Sequence, residues 1–379
     1  MNFELDNDQV ALQDSVARLL QSQASFEQRR KSVATESGWD VNLWPALAGL
    51  GVTALTLPES DGGFGQRPVA LLPVLEALGH ALAVQPFLAT AVLASSAIAR
   101  AGTDAQREAH LPSIAQGTRI VAFAHDERAA RHDPLSIGTR ARCVDGQWLL
   151  DGRKQNVLFG ADAATLVVSA RGENDTVMLF LVDPSQAPVR IAPTRLVDDT
   201  PAADITLAGA RAERLAGDGL AALKATIDAG TAAACAEALG VAERAYELTT
   251  EYVQTRQQFG RAIGANQSLR HRIAEMRVSL DTLRSAAMIA LLALEIDDET
   301  ERARELSRAK MLASRHGTFI TQQAIQLHGG IGMTVEYAAG HCLRRMTVLE
   351  MLFGDGASHA ARLGAGIVAS DDGRLATAA

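Results

Sequence analysis

Apolar residues recur at intervals of three and four along the first part of the chain, from Asp6 to about Gly117, as in the segment DQVALQDSVARLL. This spacing places them on one face of a helix, so the pattern predicts a series of amphipathic helices. The pattern is interrupted from Leu57 to Pro68, where proline, glycine and aspartate come together and predict a loop.

The period changes to two between Ile120 and about Leu215, where segments such as ATLVVSAR and TVMLFLVD alternate with turn residues. This pattern predicts short strands, and Asp145-Gly146 in CVDGQWLL predicts a tight hairpin turn. After Asp218 the helical spacing returns and persists to about Val368. The chain is therefore predicted to be of the α+β class, with helices first, strands in the middle and helices last.

Composition narrows the possible functions. A chain of 379 residues is long enough for two or three domains, and its net charge of −8 argues against a general nucleic-acid binder. The three cysteines are scattered without a C-x-x-C pair, which argues against a disulfide scaffold or a zinc site and suits a reducing compartment. The chain starts without a signal-like segment and has no apolar run long enough to span a membrane. We therefore expect a cytoplasmic protein without a bound metal.

The segment EYVQTRQQFGRAIGANQSLRH, from Glu251 to His271, is unusual for a helical region. Glycine costs roughly 1 kcal/mol in a helix interior, so Gly260 and Gly264 predict a break that lets the backbone approach a ligand closely. An arginine, amide side chains and bare glycine backbone together suit a diphosphate and its sugar. The alternative is an ordinary turn between two helices with solvated polar side chains.

A second glycine-rich segment, QLHGGIGMTVEY, runs from Gln326 to Tyr337 after a helical stretch. Paired glycines in this place could simply end the helix. The H-G-G pattern also occurs in lipases, but the chain has no G-x-S-x-G nucleophile segment, which excludes that class. A G-x-G-x-x-G motif after a first strand is absent as well, which excludes a Rossmann dinucleotide-binding fold.

Taken together, these motifs resemble those of the acyl-CoA dehydrogenase family of flavoproteins. The resemblance rests on GVTALTLPESDGGFG, RQQFG, the glutamine downstream of it, and QLHGGIGMT, in the helix–strand–helix order described above. It covers nearly the whole chain. It implies an N-terminal helical domain (residues 1–118), a middle β-barrel-like domain (119–216) and a C-terminal four-helix bundle (217–379).

The resemblance also implies a tetramer in which FAD lies across a subunit boundary, with an acyl-CoA thioester as substrate and an electron-transfer flavoprotein as electron acceptor. In that family, residues of these two motifs contact the adenosine diphosphate part of a neighbouring subunit's FAD. The corresponding positions here are Arg256, Gln258, Phe259, Gln267, Gln326, Gly329 and Gly330.

The family reaction requires a carboxylate base to remove the α-proton while the flavin accepts the β-hydride. The position of the usual glutamate is occupied here by Gly354, and the position that carries the base in other members falls near Gly230. The nearest carboxylates are Asp355 and Asp228. Asp355 is a candidate base, but it could instead cap the following helix, and Asp228 could be a cap or a CoA contact.

The middle domain also departs from the family pattern. The segments that normally flank the flavin ring read AFAHDERAARHD and RKQNVLFGAD here. The family's sequence pattern beside the flavin ring is therefore absent, whereas its pattern at the FAD diphosphate is present. This division suits a subunit that lacks the base and completes the FAD site of a glutamate-bearing partner in an α2β2 complex. Two alternatives remain: a self-sufficient homotetramer that uses Asp355, and a non-catalytic CoA-thioester binder or assembly scaffold.

Overall fold

The computed structural model describes residues 7–377, which form two compact units. One unit contains Leu75–Leu82 together with residues 231–377, and the other contains residues 7–74 and 83–230.

Helices form most of the described residues up to position 118, as the spacing predicted. Two of them start with a capping box, in which Ser25 pairs with Gln28 and Thr103 pairs with Gln106. The residues from Leu57 to Pro68 form a loop with one 3₁₀ turn, so the loop prediction is confirmed. The α-helices of this part are α1 (Asn7–Gln23), α2 (Phe26–Val33), α3 (Leu43–Gly49), α4 (Leu72–His80), α5 (Ser95–Ala101) and α6 (Asp104–Ala115).

The middle of the chain folds into one seven-stranded sheet. The strands are β1 (Val121–Ala124), β2 (Arg140–Val144), β3 (Gln147–Leu158), β4 (Thr165–Arg171), β5 (Val177–Val182), β6 (Val189–Arg195) and β7 (Pro201–Arg214). The strand order is β1-β4-β2-β3-β7-β5, β6 pairs with β7, and an additional β4–β5 pairing closes the sheet on itself. The middle part is therefore barrel-like, as expected, with an apolar interior that includes Leu150, Leu166 and Phe180.

The hairpin between β2 and β3 turns at Asp145 and Gly146, which both have a positive φ, of 51° and 79°. Positive φ at both central residues is the geometry of a type I′ turn, so this prediction is confirmed. β6 was not predicted from the sequence. It contains Pro193, which reduces the strand signal.

The last part of the chain is helical, as predicted. Its helices are α7 (Gly219–Thr255), α8 (Gln267–Ala293), α9 (Glu299–His328), α10 (Ala338–Met351) and α11 (Gly356–Thr377). A two-stranded hairpin, β8 (Gln257–Gln258) with β9 (Arg261–Ala262), separates α7 from α8. Within the described part of the chain, no helix is both long enough and apolar enough to cross a membrane.

Candidate functional site

The hairpin after α7 carries three of the predicted FAD contacts. Arg256 and Gln258 are exposed, and the chain turns through Phe259 and Gly260, whose φ angles are 51° and 78°. The Phe259 side chain is 100% exposed, which is unusual for a large aromatic residue in a folded protein. The predicted break in the helical region is confirmed, and it presents an aromatic side chain at the tip of a short hairpin.

The two glycines of this segment have different local roles. A Cβ at Gly260 would meet nothing within 4 Å, so this residue is required only by its positive φ. A Cβ at Gly264 would lie 2.8 Å from the carbonyl oxygen of Val253 in α7. Gly264 therefore lets the end of the hairpin pack on its own helix, whereas the sequence had suggested a close approach to a ligand.

Two hydrogen bonds of ordinary length anchor the base of the hairpin. The Ile263 N–H donates to the Arg256 carbonyl at 2.9 Å, and the Arg270 Nε–H donates to the Gly264 carbonyl at 2.9 Å. Gln267, another predicted FAD contact, is exposed and is the first residue of α8. Arg256, Gln258, Phe259 and Gln267 thus lie on one continuous, anchored segment.

The glycine pair ends α9, which agrees with the helix-stop alternative. Gly329 has φ 64°, and its N–H donates to the Ile325 carbonyl. Gly329 and Gly330 are exposed, and a Cβ on either would meet nothing within 4 Å. Gln326, also exposed, lies in the last turn of α9. The turn therefore leaves open backbone that a ligand could approach, so ending the helix and binding a ligand are compatible.

His328 lies directly before this turn and is buried. Its Nδ1 is 2.7 Å from the Ala324 carbonyl oxygen and its Nε2 is 3.2 Å from the Tyr337 hydroxyl oxygen. Burial lowers the pKa of His328, so the ring is neutral at pH 7. Because a carbonyl only accepts, Nδ1 carries the proton and Nε2 accepts from Tyr337. The sequence pattern gave no sign of these contacts.

The loop from α10 to α11 contains Gly354, the residue that the family resemblance aligns with the usual glutamate. Gly354 is buried and has φ 102°, and Phe353 before it also has a positive φ of 62°. Oδ1 of Asp355 accepts the Ser358 backbone N–H at 2.7 Å, which is the N-cap contact of α11. Asp355 therefore caps α11 in the structure, and a catalytic role for this residue stays a prediction.

Two buried side chains hold this loop. The Lys310 ammonium donates to the Leu349 and Glu350 carbonyls at the end of α10. His359 lies with Nδ1 3.1 Å from the Ser307 hydroxyl and Nε2 3.1 Å from the Phe353 carbonyl. Burial lowers the pKa of His359 to about 4, so its ring is neutral, with the proton on Nε2. Its remaining lone pair faces Ser307, which leaves His359 no free atom to act as a base.

The second candidate region for a base is inside α7. Gly230 is buried and Asp228 is half-buried, and both lie in the helix interior, well after its start at Gly219. A capping role for Asp228 is therefore wrong, because caps lie at helix ends.

In the middle part, the segments that depart from the family pattern contact each other. Lys154 of β3 is completely buried, and its ammonium donates to Glu127 at 2.7 Å, to the Ser169 hydroxyl at 3.1 Å and to the His125 carbonyl at 3.1 Å. Burial lowers the pKa of Lys154 to about 8, and the nearby Glu127 carboxylate opposes this effect. All three ammonium hydrogens thus have acceptors within the chain.

The same unit contains a cavity of about 560 Å³ between the β4–β5 hairpin and the start of α7. Arg171 and Arg214 contribute positive charge to its lining, and Asp175 and Asp218 contribute negative charge. Arg171 contacts Asp175 at 2.9 Å, and Asp218 caps α7 through the Leu220 N–H at 3.0 Å. Among residues 7–377, no group of three or more His, Cys, Asp or Glu side chains is arranged to hold a metal ion.

Comparisons with known proteins agree with this architecture. The family model described as "Acyl-CoA dehydrogenase, N-terminal domain" matches residues 6–118, and "Acyl-CoA dehydrogenase, C-terminal domain" matches residues 217–368. The probable acyl-CoA dehydrogenase YngJ of Bacillus subtilis is 27% identical over 378 residues, covering 96% of this chain and 98% of that protein.

Two solved structures are similar over nearly their whole length. A variant of the Tcur3481-Tcur3483 steroid ACAD is 31% identical with a TM-score of 0.89 and covers 96% of this chain and 99% of that one. The ChsE4-ChsE5 complex from Mycobacterium tuberculosis is 26% identical with a TM-score of 0.88, and the match covers 97% of this chain and 99% of that one. With the helical, barrel-like and helical parts in this order, the chain belongs to the acyl-CoA dehydrogenase family, whose members are FAD-dependent oxidoreductases acting on CH–CH bonds.

Proposed function

We propose that this chain is the base-lacking subunit of a heteromeric FAD-dependent acyl-CoA dehydrogenase, in which a glutamate-bearing partner performs the α,β-dehydrogenation. The observation that carries this proposal is the loop at Gly354. The residue that the resemblance aligns with the family's base is a buried glycine with φ 102°, and the neighbouring carboxylate of Asp355 accepts the Ser358 N–H.

The diphosphate-side residues fit FAD. Arg256 and Gln258 are exposed beside the fully exposed Phe259, and Gly329 and Gly330 leave backbone uncovered. A guanidinium is a donor that a diphosphate prefers, and glycine backbone without side chains lets a ligand approach closely. When bound, FAD supplies the hydride acceptor, and this chain's residues would hold its diphosphate and adenosine part on behalf of the partner.

The segments expected beside the flavin ring support the same division of roles, because their contacts are made within this chain. The Lys154 ammonium donates to Glu127, to Ser169 and to the His125 carbonyl, so all three of its hydrogens have acceptors. The names of two similar structures each join two differently named chains, ChsE4 with ChsE5 and Tcur3481 with Tcur3483. An α2β2 assembly is the corresponding proposal for this chain.

For the acyl-CoA thioester, the cavity beside the start of α7 is our candidate contact with the CoA phosphates, since Arg171 and Arg214 line it. Replacing Arg214 by alanine should therefore raise KM for the thioester more than it lowers kcat.

The same proposal includes an electron-transfer flavoprotein as the electron acceptor and a cytoplasmic location.

The test is an absorbance spectrum of the purified chain, alone and after co-expression with a glutamate-bearing family member encoded beside it. We expect flavin only in the co-expressed complex, at about one per pair of chains, and dehydrogenase activity only there. Arg256→Ala in this chain should remove flavin from the complex, whereas Arg315→Ala, at an exposed position on α9, should not.

Two results would contradict the proposal. One flavin per chain in an active homomer would support the self-sufficient enzyme, in which Asp355→Asn should abolish turnover while flavin stays bound. Thioester binding without flavin in any assembly would support the non-catalytic binder.

A further inference from the structure

The two motifs proposed to hold the FAD diphosphate are far apart in the sequence, and both must be held in one arrangement. The hairpin with Arg256 follows the end of α7, and the Gly329-Gly330 turn follows the end of α9. A binding site made from two segments is only as exact as the contacts that fix one segment to the other.

His328 makes that connection. It is the last residue of α9, and its side chain is only 4% exposed. Nδ1–H donates to the Ala324 carbonyl at 2.7 Å, which sets the orientation of the ring against its own helix. Nε2 accepts from the Tyr337 hydroxyl at 3.2 Å, and Tyr337 is the N-cap residue of α10, where the segment after the glycine turn ends.

On the other side, the His328 ring packs on α7. Its centroid lies 4.6 Å from that of Tyr252 and 4.9 Å from that of Tyr337. Aromatic pairs at such separations attract each other beyond simple burial. Tyr252 lies one helical turn before Arg256, and its carbonyl accepts the Arg256 N–H at 2.8 Å. One imidazole therefore contacts the helix end that leads into the hairpin and the segment that follows the glycine turn.

We infer that His328 is a positioning residue that fixes the Arg256 hairpin and the Gly329-Gly330 turn relative to each other for FAD binding. The inference rests on the proposed function, in which both segments contact the FAD diphosphate. His328 itself needs no contact with FAD, because its ring is enclosed between Tyr252 and Tyr337.

The test combines hydrogen exchange on the chain with FAD affinity of whichever assembly of the chain binds FAD. His328→Ala removes the ring, and His328→Phe keeps an aromatic ring without its two hydrogen bonds. Leu283→Ala is the matched control, because Leu283 is fully buried in α8 of the same unit, sixteen residues or about 24 Å along the helix from Gln267.

For His328→Ala we expect faster exchange in both residues 257–263 and residues 329–334, and FAD affinity lower by about tenfold or more. His328→Phe should recover part of both effects. Leu283→Ala should lower the melting temperature at least as much while leaving the FAD affinity unchanged well below that temperature.

Exchange that changes around residues 329–334 alone, or equal loss of FAD affinity in Leu283→Ala, would overturn the inference. If the wild-type chain binds no FAD in any assembly, the proposed function fails, and the exchange measurement still decides whether His328 couples the two segments.

Discussion

Replacing Gly354 by alanine tests whether the loop between α10 and α11 can accept any side chain. The backbone there has φ 102°, a conformation that costs a non-glycine residue about 1–3 kcal/mol. The new Cβ would also lie 3.0 Å from the Ser358 hydroxyl oxygen and 3.1 Å from Nε2 of His359. His359 cannot move away freely, because Ser307 and the Phe353 carbonyl hold its ring at 3.1 Å each.

Crowding of this kind in a packed interior costs about 1–3 kcal/mol more, which gives a total loss of about 2–6 kcal/mol in the free energy of unfolding. Urea denaturation of the purified assembly measures this loss. Gly364→Ala is the control, since Gly364 is exposed in the same helix α11 and its Cβ would meet nothing within 4 Å. Alanine at that position should be neutral or stabilise by up to about 1 kcal/mol.

The same geometry predicts that Gly354→Glu alone will not give an active homomer, although it places a carboxylate where the resemblance expects the family's base. Gly354→Ala should cost less in a His359→Ala background than in the wild type, because the contact with His359 is then absent, while the contact with Ser358 and the backbone cost remain. A Gly354→Ala variant as stable as wild type would refute this reasoning. Full activity of the Gly354→Glu homomer would refute it as well.

Three further changes test other parts of the unit that contains Leu75–Leu82 and residues 231–377. Burial raises the pKa of Glu76 to about 7. The free energy of unfolding should therefore fall by up to about 3 kcal/mol as the pH rises from about 4.5 to 7, because the folded protein must then give up a proton that it holds more tightly. Glu76→Gln should flatten this pH profile. Gly264→Ala places a Cβ 2.8 Å from the Val253 carbonyl oxygen, and denaturation should reveal a loss of about 1–3 kcal/mol, with weaker FAD binding if the hairpin shifts. Lys310→Met leaves the carbonyls at the end of α10 without their donor, and should lower stability by about 1–3 kcal/mol in the same assay.

The local features of the fold were predictable where residue chemistry dictates backbone geometry. Asp145-Gly146 gave the hairpin turn and Gly260 gave the break before α8, because few other residues adopt their φ angles. The π-helical segment Phe87–Ala94 was not predictable in its detailed form. All eight of its residues are buried, so it has no polar face to define a period.

The candidate site was predictable only where residues contact solvent or an expected ligand. Arg256 and Phe259 are in recognisable motifs, and both are exposed. The contacts of His328 with Tyr252 and of Lys154 with Glu127 join segments distant in sequence. A single sequence contains no information on such pairs unless the register of the helices and strands is already known.

The two roles considered for Asp355 require different orientations of one carboxylate. As an N-cap, its carboxylate accepts the Ser358 N–H at 2.7 Å and lies at the positive end of the 22-residue helix α11. As a base, it would have to turn its carboxylate towards a substrate, which would weaken the hydrogen bond from the Ser358 N–H to Oδ1. Losing the cap alone costs about 0.5–2 kcal/mol, and the departure would recur in every catalytic cycle. A carboxylate supplied by another subunit avoids this conflict. Asp355 can then remain the cap of α11 while the exposed Arg256 hairpin contacts FAD.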